Sequence, residues 1–338
     1  MIKILIIGDT HFKVNNSDQT NILVDSIIEL VIKHKPKLIV FLGDIFDNHS
    51  TVNVLQMYRF SYLIKRIKDM AEIYILVGNH DMIDNKQFFP EAHSLVLMDG
   101  LNDNITIVNK TKTWNKHGIK LLFVPYLPPG RFVEGLNIIE DWNTYDAIFA
   151  HQDFNGACGN SRYKVKKGDG WNENLPMVFN GHIHTPQMIG SKILCPGASI
   201  QESFADTPER YVILLKFDDN LKQNIEKIRI NSLELKEISL NIRDAYNYTP
   251  PSMTKLKIEL VGTQAEYKVL SSSGKIKEWQ RMGCKVTTNL QSSVDINRIN
   301  NKKRPVYISY DTCVENELKN DPELFDFYNK NIKSSIQY

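Results

Sequence analysis

Residues 2–11 read IKILIIGDTH: a short β-branched apolar run, a glycine, then an aspartate and a histidine two residues apart. A continuous apolar run of this length suits a strand buried on both faces of a sheet. The polar residues that follow then stand at that strand's carboxyl end. The pattern returns along the chain, with apolar runs at 38–42, 73–77, 119–124, 147–150, 177–179, 192–194 and 211–217, each bounded by turn residues. Helical spacing separates the early runs. Ile22, Val24, Ile27, Ile28 and Val31 lie at helical spacing within 21–34, and Leu55, Tyr58, Tyr62, Leu63 and Ile67 do so within 52–70. Strands alternating with helices predict an α/β layered fold.

A chain of 338 residues allows one large domain, or a large and a small one. An apolar fraction of 42% supports a sizeable core and does not indicate disorder. The net charge of +2 gives no global field for a nucleic-acid partner. What positive excess there is lies C-terminal, with 16 Lys+Arg against 12 Asp+Glu over 236–338. Cys158, Cys195, Cys284 and Cys313 have no C-x-x-C spacing, which argues against a disulfide framework or structural zinc and fits a reducing compartment. The first nine residues are too short an apolar stretch for a signal peptide, and no run approaches the roughly 18–20 apolar residues that span a bilayer. The expectation is a soluble, cytoplasmic protein with no membrane partner.

After about residue 235 the texture changes. LELKEISL, KLKIELVG and CKVTTNL are shorter and more polar runs, and YNYTPPS (246–252) reads as a linker. The predicted division is 1–235 for the main domain, 236–310 for a smaller α/β capping domain, and 311–338 for a helical tail. Asp321 caps that tail helix, Pro322 opens it, and Phe325, Tyr328 and Ile332 form its apolar stripe.

Five of the apolar runs end in residues that bind hard-to-borderline metal ions: Asp9 and His11; Asp44 and Asp47; Asn79, His80 and Asp81; His151; and His182 and His184. In open α/β sheets, sites form outside the carboxyl ends of the strands, so these distant residues can converge. Singly, each has an ordinary reading. Asp9 and Asp44 suit turns or caps, Asn79 a turn, Asp47 the cap of a helix beginning after Ser50, and His151 a satisfied histidine. Five independent turns have no reason to share this chemistry, and together they predict a metal site. Imidazole, carboxylate and amide donors without thiolate suit Mn, Fe or catalytic Zn more than magnesium alone. Seven of these ten as ligands exceed one ion's need and suffice for two if a carboxylate bridges. Two ions about 3.5–4 Å apart clamp the oxygens of a phosphoryl displacement and lower the pKa of a bound water towards about 7, which yields hydroxide at neutral pH.

The ordered set D-x-H, G-D-x-x-D, G-N-H-D, H and G-H-x-H resembles the calcineurin-like metallophosphoesterases over roughly residues 1–200. The resemblance implies a four-layer β-sandwich flanked by helices, with two divalent ions, Mn2+ before Mg2+, Fe2+ or Zn2+. It implies Asp9, His11 and His184 on one ion, Asn79, His151 and His182 on the other, and Asp44 between them. His80 is then no ligand but faces the scissile phosphate and helps the leaving oxygen, and Asp47, Asp81 and His49 support it or contact phosphate. Protein phosphatases of this superfamily carry an arginine after the second aspartate, where this chain has Asn48. GDTHF, GDIFD, GNHD and PGASIQESF look instead like the SbcD branch, the DNA nuclease subunits of recombination and repair complexes, whose phage-encoded members are similar in size. That likeness implies a metal-dependent DNA exo/endonuclease, a homodimer, and an SbcC-type coiled-coil ATPase as partner of the tail; for a phage-encoded member the location is the host cytoplasm. Lys255, Lys257, Lys275, Lys277 and Arg281 are the candidate DNA-phosphate contacts. Two alternatives stand beside it: a small-molecule phosphodiesterase or phosphatase of the same superfamily, and an inactive scaffold, against which the full ligand set speaks.

Overall fold

The computed structural model describes residues 1–14, 17–49, 51–100, 102–159 and 164–291, together with Asp326. Apart from Asp326, the predicted tail of 311–338 with its Phe325/Tyr328/Ile332 stripe lies outside the described residues, as does the end of the predicted capping domain. Two six-stranded sheets form the main body. The first contains β1 (Ile2–Ile7), β2 (Leu38–Phe41), β3 (Glu72–Leu76) and β4 (Ile105–Val108), all parallel. It is extended on the other side of β1 by the antiparallel pair β11 (Tyr211–Phe217) and β12 (Gln223–Arg229). The second runs β5 (Lys112–Lys116), β6 (Ile119–Phe123), β7 (Ala147–Ala150), β8 (Met177–Asn180), β10 (Ile193–Cys195) and β9 (Gln187–Ile189) across its width. Its four inner strands are parallel, and the two edge strands are antiparallel to their neighbours.

Alternation along each strand explains the layers. Ile4 and Ile6 of β1, with Leu38 and Val40 of β2, meet Leu121, Phe123 and Phe149 of the second sheet in a central core. Leu5, Ile7, Ile39 and Phe41 point the other way, onto α1 (Ser17–His34) and α2 (Val54–Ile67). A strand with both faces buried must be apolar throughout, which is why these runs are continuous. The outer face of the second sheet is covered more thinly, by α3 (Phe132–Leu136) and by loops carrying Phe154 and Trp171. The architecture is the expected helix-flanked pair of sheets, with one full helical layer and one short one. Asp47 does not cap α2: the N-cap is Asn53, whose side chain accepts from Leu55 N at 2.9 Å while Gln56 closes a capping box onto it. The cap thus falls six residues beyond Asp47, whose carboxylate lies 3.6 Å from His11 Nδ1 instead.

The chain then builds a three-stranded parallel sheet, β13 (Glu234–Asn241), β14 (Thr254–Thr263) and β15 (Lys285–Gln291). The helices α4 (Gln264–Ser272) and α5 (Lys275–Arg281) cover one face of it, around Leu256, Ile258, Leu260, Leu270 and Trp279. YNYTPPS is not a linker between domains. Parallel strands need a crossover, and this segment carries the chain from β13 to β14, with Tyr248 packed edge-on against Trp279 at 6.1 Å. The join to the main body is short and pinned: Gln201 Oε1 accepts from Leu235 N at 2.7 Å and Gln201 Nε2 donates to Leu235 O at 3.2 Å. Among the described residues no helix is long and apolar enough to cross a membrane.

Candidate metal centre

The carboxyl ends of β1, β2 and β3 lie side by side in one sheet, and those of β7 and β8 lie side by side in the other. The two sheets face each other, so the polar residues following all five strands meet at one edge of the sandwich. The approach is close. A Cβ on Gly43 (φ +107°) would lie 2.6 Å from His151 Nδ1, and one on Gly181 2.7 Å from the same atom. Glycine before Asp44 and His182 is therefore a packing requirement of the site. His11, Asp44 and His182 themselves have positive φ, at 40°, 48° and 69°. Such backbone is uncommon outside glycine and concentrates at functional sites.

Two groups of donors result. In one, His11 Nε2 and His184 Nε2 stand 3.0 Å apart, with Asp9 Oδ2 3.7 Å from His184 Nε2. In the other, Asn79 Oδ1 lies 3.0 Å from His151 Nε2 and 2.8 Å from His182 Nδ1. Asp44 Oδ2 lies between them, 3.8 Å from His11 Nε2 and 3.3 Å from His151 Nε2. Partners outside the groups orient the rings. His151 Nδ1 donates to Leu42 O at 2.7 Å, and His182 Nε2 donates to Asp153 Oδ1 at 3.0 Å. The other nitrogen of each ring then faces the Asn79 oxygen, itself an acceptor. Acceptors at such distances need a proton or a cation between them. Asp9 Oδ2 and His11 Nδ1 are buried without a hydrogen-bond partner. This donor set fits divalent cations.

The electrostatics agree. Burial opposes ionisation of Asp44, yet His151 and His11 beside it hold its carboxyl well below the usual range. His151, whose charge burial disfavours, is raised to about 9 by Asp44 and Asp9. Burial, with His184 and His80 nearby, pushes His11 well below its ordinary value despite Asp44. Burial raises Asp9, and Asp44 adds to it.

His80 stands at the edge of the groups. Its N–H donates to Asp44 Oδ1 at 2.8 Å and its Nδ1 to Asp47 O at 2.8 Å, which leaves Nε2 for exchange with a substrate. His49 stacks on the His80 ring with centroids 4.6 Å apart. The Asp47 carboxylate is 3.6 Å from His11 Nδ1 and 2.9 Å from Lys13 Nζ, and Lys13 also pairs with Glu202.

Asp81 is not exposed at the site but supports it. It is fully buried and accepts from Gly78 N, Ile45 N and Phe46 N at 3.0–3.2 Å, clamping together the loops that carry Asp44 and Asn79. Nor do the five candidate DNA contacts form one surface. Lys255 and Lys257 lie on the face of β14 opposite Leu256 and Ile258, while Lys275, Lys277 and Arg281 belong to α5, which covers the Leu256/Ile258 face. Three of them are paired: Lys255 with Asp18 at 3.3 Å, Lys257 with Glu237 at 2.8 Å and Lys275 with Glu278 at 3.3 Å.

Sequence reasoning missed several supporting residues. Asp153 was in reach, two residues after His151 in HQDF. Tyr126 was not: it is buried, its ring is 5.7 Å from that of His182, and burial with Asp153 nearby pushes its hydroxyl up to about 12. Arg210 carries no local signal either. It is buried and ties down the His184 loop, with Nη1 donating to His184 O and Ala198 O at 3.2 Å each.

Comparison with known proteins agrees with this geometry. Residues 2–186 match the family model described as calcineurin-like phosphoesterase. The chain is 32% identical over 288 residues to "Putative phosphoesterase 244L" of Invertebrate iridescent virus 6, covering 80% of this chain and 98% of that one. It is 27% identical over 309 residues to "Putative phosphoesterase 078R" of Invertebrate iridescent virus 3, covering 88% and 87%. Among solved structures, a phosphatase from Mycoplasma pneumoniae superposes over 68% of this chain and 93% of its own, at a TM-score of 0.40 and 12% identity. The chain belongs to the calcineurin-like phosphoesterase family.

Proposed function

We propose that the chain is a two-metal phosphodiesterase acting on DNA. The observation that carries the two-metal part is Asp44, whose Oδ2 lies within 4 Å of an imidazole from each donor group. In this reading Asp9, His11 and His184 hold one ion and Asn79, His151 and His182 the other, with Asp44 shared. When bound, the ions supply Lewis-acid polarisation of the phosphoryl group and an activated water. His80, oriented by the Asp47 carbonyl, holds at Nε2 the proton that the leaving oxygen takes up. Asp153 and the Leu42 carbonyl keep the two rings turned to the centre. Tyr126, with its proton firmly held, walls one side.

A diester, with one negative charge, fits better than a monoester dianion. Asn48 stands where the protein phosphatases carry arginine, and the cation at Asp47 is Lys13, already answered by two carboxylates. DNA as the diester, with an SbcC-type ATPase partner and a homodimer, rests on the motif likeness. The second reading, a small-molecule phosphodiesterase, is favoured by the division of the basic residues between two faces of the small sheet. The test is manganese-loaded protein on bis-p-nitrophenyl phosphate, p-nitrophenyl phosphate and end-labelled linear duplex, with and without an SbcC-type partner. The proposal expects diester turnover well above monoester turnover, and duplex degradation stimulated by the partner. Turnover of the small diester with intact duplex would leave the second reading. Preference for the monoester would overturn both.

A further inference from the structure

Beside the metal centre lies a cleft of about 400 Å³ that the motifs leave unexplained. Lys13 and residues 201–204 form one wall; Leu235, Lys255, Gly283 and Lys285 form the other. Its floor is fixed by side chain-to-backbone bonds. Besides the Gln201–Leu235 pair, Gln19 Nε2 reaches Gln201 O at 3.3 Å and Leu233 O at 3.4 Å. Both glutamines are buried, so the width of the cleft is set by the fold. A volume of a few hundred Å³ suits a small organic ligand.

The lining says which kind. Of the three lining lysines, Lys13 pairs with the lining carboxylate Glu202 and Lys255 with Asp18 at 3.3 Å, while Lys285 is in no ion pair among the described residues. Burial works against the Lys13 charge, but the Glu202 and Asp47 contacts outweigh it and raise its pKa. Lys285 Nζ stands 5.9 Å from the centre of the half-buried Phe204 ring. The cleft is next to the chemistry. Lys13 Nζ is 2.9 Å from Asp47 Oδ1, itself 3.6 Å from His11 Nδ1. A half-buried aromatic ring lining the cleft, a cation beside it and a phosphoryl-transfer centre at one end are the requirements of a nucleotide: a base to stack, and a phosphate to neutralise.

We propose that this cleft is the subsite for the nucleotide flanking the scissile diester, with its base on Phe204 and its distal phosphate on Lys285. The inference rests on the phosphodiesterase reading and names the substrate class of that same centre. It also explains how a chain without a continuous basic surface would grip a nucleic acid, through one shaped pocket.

The test is calorimetric titration of the 5′-phosphorylated dinucleotide pdTpdT into the full-length, metal-free protein. Phe204→Ala and Lys285→Glu should each weaken binding about tenfold, Phe204→Tyr should retain it, and Lys222→Glu, on a separate surface, should leave it unchanged. Unaltered affinity in both cleft variants would overturn the subsite, as would inorganic phosphate competing as well as the dinucleotide. If Phe204→Ala fails to fold, the exposed Lys285→Glu decides alone. Turnover of bis-p-nitrophenyl phosphate by the manganese-loaded protein is read separately. Its absence with intact dinucleotide binding would overturn the phosphodiesterase reading, whereas turnover with unaltered binding in the variants would overturn only the subsite.

Discussion

The rim of the two large sheets and the surface of the three-stranded sheet both collect charged residues, and they do so in opposite ways. At the rim, Asp9, His11, Asp44 and His151 are buried and lie within 4 Å of one another, and Asp9 Oδ2 and His11 Nδ1 have no hydrogen-bond partner. On the small sheet, Lys255, Lys257 and Lys275 are each answered by a carboxylate. Burying polar groups without partners is costly, so an arrangement of the first kind persists only where something else supplies the missing partner. An arrangement of the second kind is what an ordinary solvated surface looks like. Charge becomes evidence of chemistry when it is both buried and unsatisfied.

Substitutions break this contrast in a definite order. Asp44→Ala should remove both ions together and take activity to background, because the shared carboxylate belongs to both groups; elemental analysis showing one ion fully retained would mean that Asp44 is not shared. His80→Ala should keep the metal content and lower kcat by about 10²–10⁴, and a parallel fall in metal content would make it a ligand. Asp153→Ala should weaken one ion by about 10–100-fold, the usual effect of losing a ring-orienting partner, with the other ion unmoved. Asp81→Ala leaves three buried backbone N–H groups unpaired and should cost about 2–4 kcal/mol in denaturant unfolding, with the metal content of the folded fraction kept. Lys257→Ala, at a half-exposed ion pair, should cost no more than about 0.5 kcal/mol.

Proton linkage sharpens the same contrast. The folded, ion-free protein holds a proton on His151 up to about pH 9, against 6.5 for an ordinary histidine, because Asp44 and Asp9 outweigh burial. That contribution to stability is fully present below pH 6.5 and is lost as pH rises through about 9. An incoming cation must displace the same proton, so metal affinity should rise over this window and uptake should release protons. Calorimetry of manganese binding in buffers of different ionisation enthalpy reads this directly. A proton release of zero at pH 7 would show that His151 is already neutral.

Much of the fold was legible because burial on both faces leaves a continuous apolar run. Ile2–Ile7, Ala147–Ala150 and Tyr211–Phe217 were readable to the residue. The missed strands β4, β5, β9 and β12 all lie at a sheet edge; two of them are polar, since KTWNK and QNIEKIR carry charge on their open faces, and QMI is only three residues long. YNYTPPS failed for a related reason, since a crossover and a linker need the same turn residues. The seven candidate ligands were legible because each follows a strand. Arg210 and the Leu42 carbonyl were not, because they act through contacts made only on folding. The separation of Lys255 and Lys257 from Lys275, Lys277 and Arg281 was not legible, because a count of charges sees neither the alternation of β14 nor the carboxylates opposite.

The central claim is that two divalent ions are held at the meeting of the five strand ends and act together on a phosphodiester. Its most direct test is a manganese titration of the metal-free, full-length protein in which bound metal and bis-p-nitrophenyl phosphate turnover are followed together. The account predicts that turnover develops fully only as the second ion per chain binds. Full turnover at one ion per chain, or two bound ions with no turnover, would contradict it.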